Sequence, residues 1–122
     1  MSGFPIAQRT LLIDDDVVVQ VFPLNKPALT IGRSLKCDIC LDDISVSSIH
    51  ALIRITPNAL LDGHNDVFIH GLQSESGVLV NDLRIKRFHL DPYDVVAIGS
   101  NRFKFLDEQI QGRQTTALML LD

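Results

Sequence analysis

The sequence has no long hydrophobic run, little positive charge and only two cysteines. No apolar stretch approaches the roughly 18 residues of a membrane span, and the N-terminus lacks the charged region and long apolar run of a signal peptide. The 11 lysines and arginines stand against 15 acidic residues, which gives a formal net charge of −4 at pH 7. This balance disfavours broad nucleic-acid binding, which depends on a basic surface. We therefore expect neither membrane insertion nor a nucleic-acid partner.

The two cysteines, Cys37 and Cys40, form a C-x-x-C pair. With His64 and His70 they could supply half a zinc site, and as a pair they could be redox-active, but neither interpretation fits well. A zinc site of the usual type has a shorter Cys-to-His connection or a second C-x-x-C. A redox pair of the thioredoxin type needs a helix N-terminus, whereas residues 38–41 are predicted as a strand. We therefore expect two reduced thiols, a cytoplasmic location, no metal and no cofactor.

Short runs rich in Val, Ile, Leu and Phe alternate with clusters of Asp, Asn, Gly and Pro, which is the pattern of strands and turns. The 122 residues suffice for one domain with one core. Asp14-Asp15-Asp16 is interpreted as a solvated hairpin turn rather than a metal site, because carboxylates at a turn keep their hydration. No segment before residue 106 has a sustained helical period, so we predict an all-β antiparallel sandwich. The predicted strands are residues 11–13, 17–24, 28–31, 38–41, 50–56, 67–70, 78–80, 84–88, 95–98 and 102–106.

The C-terminal residues differ in composition from the rest of the chain. Residues 108–114 are polar, whereas residues 117–121 are apolar. We place one domain at residues 10–107 and a C-terminal tail, or the start of a linker, at residues 108–122. This segment could pack on the sandwich, pair with another chain in self-association, or lead into a further domain. These three options stay open.

Three motifs follow one another along the chain. Gly32-Arg33 ends an apolar run, Ser47-Ser48-Ile49-His50-Ala51 follows a polar connector, and Ser74-Glu75-Ser76-Gly77-Val78-Leu79-Val80-Asn81-Asp82 comes later. In this order and at these spacings they resemble the forkhead-associated (FHA) domain, whose pattern is G-R, S-R-x-H-A and S-x-N-G-T-x-V-N-G. The resemblance covers about residues 11–106. It implies a two-sheet antiparallel β-sandwich of the FHA/SMAD-like type that binds phosphothreonine peptides.

The resemblance also implies roles for individual residues. Arg33 matches the family arginine, whose forked donors suit phosphate oxygens. Ser47 matches the family serine, whose hydroxyl and backbone N–H reach the phosphate, and Ser48 stands where the family usually has Arg or Asn. His50 matches a histidine that braces the loops and is not a general base, since no activated nucleophile is paired with it. The residues with structural roles are Gly32, His50, Gly77 and Asn81.

The loop from Ser74 onwards departs from the family pattern. The family usually has Ser or Thr at the position of Glu75 and Asn at the position of Ser76, and those two residues hold the phosphate and the peptide backbone. Glu75 therefore places a carboxylate where a hydroxyl would sit, and a carboxylate repels a phosphate. Asn81-Asp82 stands where the family has Asn-Gly, so this turn must accept a side chain.

The function implied is phosphothreonine-dependent protein recognition in bacterial signalling or secretion. The alternative is a degenerate FHA domain that binds an unmodified partner, and the residues at positions 48, 75 and 76 favour it. An enzyme is not expected, because the chain lacks G-x-S-x-G, a P-loop and H-E-x-x-H. If the resemblance holds, Arg33, Ser47 and Ser76 should lie on loops at the same end of the sandwich, because alternate strand ends meet at one edge.

Overall fold

The computed structural model describes residues 11–13, 16–60, 64–72, 74–110 and 112–122, and these form strands and loops without a helix. The strands are β1 (Leu11–Ile13), β2 (Asp16–Pro23), β3 (Ala28–Gly32), β4 (Ile39–Cys40), β5 (Ala51–Pro57), β6 (Asn65–Gly71), β7 (Val78–Val80), β8 (Leu83–Ile85), β9 (Arg87–His89), β10 (Val95–Ile98), β11 (Asn101–Ile110) and β12 (Arg113–Leu121). One sheet has seven strands in the order β1-β2-β12-β11-β10-β7-β8, and the other has five in the order β4-β3-β5-β6-β9. The predicted two-sheet sandwich is therefore confirmed.

The core lies between the two sheets and is built from alternate residues of each strand. The five-stranded sheet contributes Ile31, Ile53 and Ile69, and the seven-stranded sheet contributes Phe103 and Phe105; all five are fully buried. Successive side chains of a strand point to opposite faces, so a period of two in apolar residues places one set inside. Burying a side chain of this size stabilises the fold by about 1.5–3 kcal/mol.

The strand pairing differs from the prediction at two places. Ile31 of β3 pairs with Ile39 of β4 in parallel, while every other strand pair in the described residues is antiparallel. The single strand predicted over residues 84–88 is wrong, because the chain crosses from one sheet to the other at Lys86. There β8 pairs with β7 and β9 pairs with β6, and the Lys86 carbonyl accepts the Gly71 N–H at 2.8 Å.

The C-terminal segment is part of the sandwich. Residues 108–122, separated above as a tail or linker, complete β11 and form β12, which lies between β2 and β11. Leu118 faces the main core, whereas Met119 packs with Val18 and Leu106 on the opposite face of the sheet. In residues 117–121, the side chains that point to either face of the sheet are apolar, because both faces of β12 are buried there. Residues 117–120 of β12 are paired along both edges, so this part of the strand has no free backbone edge for a second molecule.

The first hairpin follows the expected pairing. Ile13 of β1 pairs with Asp16 of β2, so the two strands are joined by a short connection. Asp14 and Asp15 of the predicted acidic turn lie outside the described residues, as do residues 61–63 of the connection before β6. The described part of the chain contains no helix that would qualify as a membrane span.

Candidate functional site

All five residues predicted to contact a peptide line one open groove of about 470 Å³ at an end of the sandwich. Arg33 follows β3, Ser47 and Ser48 lie between β4 and β5, and Glu75 and Ser76 lie between β6 and β7. The expectation that three separate loops meet at one end is met. Among the described residues that line the groove, one side chain is cationic, Arg33, and one is a carboxylate, Glu75.

Gly32 allows the first two loops to touch. The backbone N–H of Arg33 donates to the Ser47 carbonyl at 2.9 Å, and the N–H of Ser34 donates to the Ser48 carbonyl at 3.1 Å. A Cβ on Gly32 would lie 2.2 Å from the Ser48 oxygen, so only glycine permits this approach. The Arg33 side chain is exposed and forms no ion pair or hydrogen bond with the described residues. Nothing in the described part of the chain therefore competes with a ligand for its guanidinium donors.

His50 joins two of the loops from inside the protein. Its side chain is fully buried, its Nδ1 accepts the Ser47 N–H at 3.0 Å, and its Nε2 lies 2.7 Å from the Gly77 carbonyl. A carbonyl can only accept, so this pattern assigns the proton to Nε2 and leaves the ring neutral. The Ser74 hydroxyl lies 3.2 Å from Nε2 and accepts the Gly77 N–H at 3.0 Å. Ser74 is thus a second brace that the sequence did not single out.

The contacts of His50 change one expected role. The Ser47 backbone N–H, which the family resemblance assigned to the phosphate, is used by Nδ1 of His50. Within the described residues, the hydroxyls of Ser47 and Ser48 and the backbone N–H of Ser48 have no hydrogen-bond partner. The groove therefore offers two hydroxyls, one N–H and one guanidinium to an anion.

The loop carrying Glu75 and Ser76 is anchored on both sides. The Ser76 hydroxyl donates to the Ser45 carbonyl at 3.0 Å, so towards a ligand it can act only as an acceptor. Gly77 has a φ of 68°, and a Cβ there would lie 2.7 Å from the guanidinium carbon of Arg84. Both the left-handed backbone and the close contact favour glycine at this corner.

Asp43 organises the loop that carries Ser47. Its carboxylate accepts the backbone N–H and hydroxyl of Ser45, at 2.9 and 2.7 Å, and also the Ser100 N–H and the Asn101 side-chain amide, each at 3.0 Å. The Ser45 hydroxyl, followed by the Ser100 N–H, lowers the pKa of Asp43 to about 2. The D-x-S spacing signals the local turn, but nothing in the sequence points to Ser100.

Arg84 lies closer to the site than its sequence position suggests. The sequence indicates only a solubilising surface charge, yet its guanidinium packs against Gly77, and its Nη2 lies 3.5 Å from the Ser74 carbonyl. With Lys86 it lines a second groove, of about 460 Å³, which Ser74 and Gly77 also line. The cross-strand pairing of β7 with β8 creates this contact, and no motif marks it.

Asn81 supports the site from outside the groove. Asn81 and Asp82 have φ angles of 51° and 69°, which makes them the two central residues of the hairpin turn between β7 and β8. The Asn81 side chain also donates to Asp94 and accepts the backbone N–H of Val95, each at 2.9 Å. Its contacts are thus structural.

The two cysteine thiols are free and contact the loops of the groove. The Cys37 thiol lies 3.2 Å from the Ser48 carbonyl, and the Cys40 thiol lies 3.5 Å from the Arg33 carbonyl. Among the described residues, no three His, Cys, Asp or Glu side chains are grouped so as to hold a metal ion.

The comparisons with known proteins agree on one family. The family model described as the FHA domain matches residues 29–99, which is more than half of the chain. An FHA domain studied for its phosphothreonine-dependent interactions is 26% identical, with a TM-score of 0.65 over 83% of this chain and 97% of that one. The search of curated proteins gives no match.

Two mycobacterial structures are also similar. The FHA-2 domain of the Mycobacterium tuberculosis ABC transporter Rv1747 is 27% identical, with a TM-score of 0.55 over 76% of each chain. M. tuberculosis EmbR in complex with a low-affinity phosphopeptide is 27% identical, with a TM-score of 0.53 over 83% of this chain and 22% of the EmbR chain. The matched family model, together with the sandwich and its loops, establishes that this chain belongs to the FHA domain family.

Proposed function

We propose that the chain recognises a phosphothreonine-containing segment of a partner protein in the groove at the end of the sandwich. The observation that carries this proposal is the convergence of Arg33, Ser47 and Ser48 on one groove. A phosphothreonine brings up to two negative charges and three acceptor oxygens. The guanidinium and the hydroxyls supply matching donors, and the rigid sandwich holds their loops in register.

The charge balance of the groove makes the expected binding weak. Two like charges about 6 Å apart repel by about 3 kcal/mol at an effective dielectric constant of about 20, and by under about 1 kcal/mol in bulk water. An attractive pair with Arg33 contributes a similar amount with the opposite sign. The Glu75 carboxylate in the same groove therefore cancels part of the attraction that Arg33 provides.

The second candidate function is recognition of an unmodified partner through the same loops. Glu75 and Ser76 favour it, because the first adds a negative charge and the second uses its hydroxyl hydrogen on the Ser45 carbonyl. Such a groove suits a segment that brings an N–H or ammonium donor to Glu75 and an acceptor to Arg33.

The setting we propose is bacterial signalling or secretion in a reducing cytoplasm. Two mycobacterial relatives, an ABC transporter domain and EmbR bound to a phosphopeptide, support the bacterial setting. The two free thiols beside the groove support a reducing compartment. FHA domains are interaction modules, and we propose that this chain acts without catalysis or cofactor.

Calorimetry with a phosphothreonine peptide pool and its unphosphorylated twin tests the proposal. We expect binding of the phosphorylated pool alone, and loss of that binding in Arg33→Ala. The matched control is Arg102→Ala, which removes one exposed arginine of the seven-stranded sheet that does not line the groove. Equal binding of the two pools would establish the phosphorylation-independent function instead.

A further inference from the structure

The outer face of the five-stranded sheet carries an unusual group of side chains. Arg54 of β5 pairs with Phe68 of β6, which pairs with His89 of β9; in the next row His70 pairs with Arg87. Residues between them along each strand, such as Ile53 and Ile69, point into the core, so these five point away from it. Directly opposed Cβ atoms lie about 5 Å apart. We call Arg54, Phe68, His70, Arg87 and His89 the cationic face.

Phe68 is the platform of the cationic face. The guanidinium carbon of Arg87 lies 4.2 Å from its ring centroid, and the His89 ring centroid lies 4.9 Å away. Stacking on an aromatic ring holds a guanidinium in place without using its hydrogen-bond donors. Arg87 is therefore positioned while its forked donors remain available.

The two arginines of this face have no carboxylate partner within the described residues. Arg54 and Arg87 form no ion pair with the described residues, whereas His89 lies 3.2 Å from Asp66 on the same face. Burial, then Arg87, then Arg54 lower the pKa of His70. The buried Nε2 of His70 also has no hydrogen-bond partner in the described residues. A chain of net charge −4 does not place two arginines on one face through a general excess of basic residues.

We propose that the cationic face is a second interaction surface, which binds an acidic segment of a partner protein. Aspartate and glutamate carboxylates accept paired hydrogen bonds from arginine and would offset the positive charges of Arg54 and Arg87. The three strands β5, β6 and β9 span about 10 Å from first to last. That width suits one extended peptide. The surface shares no residue with the groove, so the two sites can be occupied together.

Nuclear magnetic resonance with an oligoglutamate peptide at low salt tests this proposal. An oligoglutamine peptide of the same length tests whether negative charge is needed. A single-stranded DNA oligonucleotide tests whether a polyanion of another class binds. We expect shifts for the amides and imidazoles of the cationic face with oligoglutamate alone. Saturation with oligoglutamate should raise the pKa of His70, because the negative charge of the peptide offsets the positive charges of Arg54 and Arg87.

Substitutions separate this surface from general charge attraction. The double variant Arg54→Gln with Arg87→Gln should bind oligoglutamate about tenfold more weakly, whereas Arg102→Gln should bind like the parent. All three side chains are exposed, so the variants should fold, and a denaturation curve checks this. An equal loss of oligoglutamate affinity in the double variant and in Arg102→Gln would overturn the proposal. Chemical-shift changes that spread to Arg33 and Arg102 would overturn it too. Tighter binding of DNA, or self-association that the double variant abolishes, would identify a different occupant and also reject it.

Discussion

The Nε2–H of His50 donates to the carbonyl of Gly77 at 2.7 Å, across a separation of 27 residues. The other ring nitrogen accepts the N–H of Ser47, three residues away. One buried imidazole thus fixes the loop of Ser47 relative to the loop of Glu75 and Ser76. Since both ring nitrogens are engaged, the ring braces the groove and is not free to act as a base.

His50→Ala should destabilise the domain by about 2–4 kcal/mol, because it leaves the Ser47 N–H and the Gly77 carbonyl without partners inside the protein. Chemical denaturation measures this loss. The control is His64→Ala, which removes an exposed imidazole and should change stability by no more than about 0.5 kcal/mol. A loss below about 1 kcal/mol for His50→Ala would contradict its role as a brace.

Gly32→Ala should push the Ser47 and Ser48 loop away from β3, because the added carbon would lie 2.2 Å from the Ser48 oxygen. We expect destabilisation of about 1–3 kcal/mol and changed amide chemical shifts at residues 33, 47 and 48. Gly112→Ala is the comparison, since its Cβ meets no atom within 4 Å although φ is 78°. It should alter no amide of the groove. Unchanged groove shifts in Gly32→Ala would refute the close-contact explanation.

Asp43 should make folding stability depend on acid. Its pKa in the folded protein is about 2, below the usual 3.8, so its contribution is complete above pH 3.8 and is lost as the pH falls towards 2. Between pH 3.8 and pH 2, the thermal unfolding temperature should fall more steeply for the parent than for Asp43→Asn. The exposed neighbour gives the control, since Asp42→Asn should retain the parent slope. Parallel curves for the parent and Asp43→Asn would contradict the prediction.

The sequence predicts the elements whose signal is local. The sequence predicts strands at residues 78–80 and 95–98, and β7 and β10 have those bounds, because a short apolar run stands there between turn residues. The FHA-like motifs also place Arg33, Ser47 and Ser76 on loops at one end, since each motif follows its own strand.

Features that depend on distant pairing do not follow from the sequence. Residues 84–88 read Arg-Ile-Lys-Arg-Phe, and their alternation breaks at Lys86-Arg87. A break of one residue is equally typical of a β-bulge, so it does not show that the chain changes sheets there. The contact of Arg84 with Gly77 requires the register of β7 with β8, and the bond from Ser100 to Asp43 joins loops that are 57 residues apart. The position of β12 depends on both of its neighbours, which are β2 and β11.

Glu75 should limit the affinity of the groove for phosphothreonine peptides. With one guanidinium opposed by one carboxylate in the groove, we expect dissociation constants of about 10 µM to 1 mM, or roughly 4 to 7 kcal/mol. Glu75→Gln keeps the size of the side chain and removes its charge. It should tighten binding by about 1–2 kcal/mol, because the exposed position of Glu75 places the repulsion between the values for water and for a partly desolvated site.

Asp91→Asn is the matched control, because it removes one negative charge from an exposed carboxylate that does not line the groove. It should leave the affinity within experimental error, since screening weakens charges more than about 10 Å apart at 0.1 M salt. Raising the salt concentration should also narrow the difference between Glu75→Gln and the parent. If both variants tighten binding equally, net charge and not the groove is responsible. If neither does, the Glu75 carboxylate turns to solvent and does not limit phosphate binding.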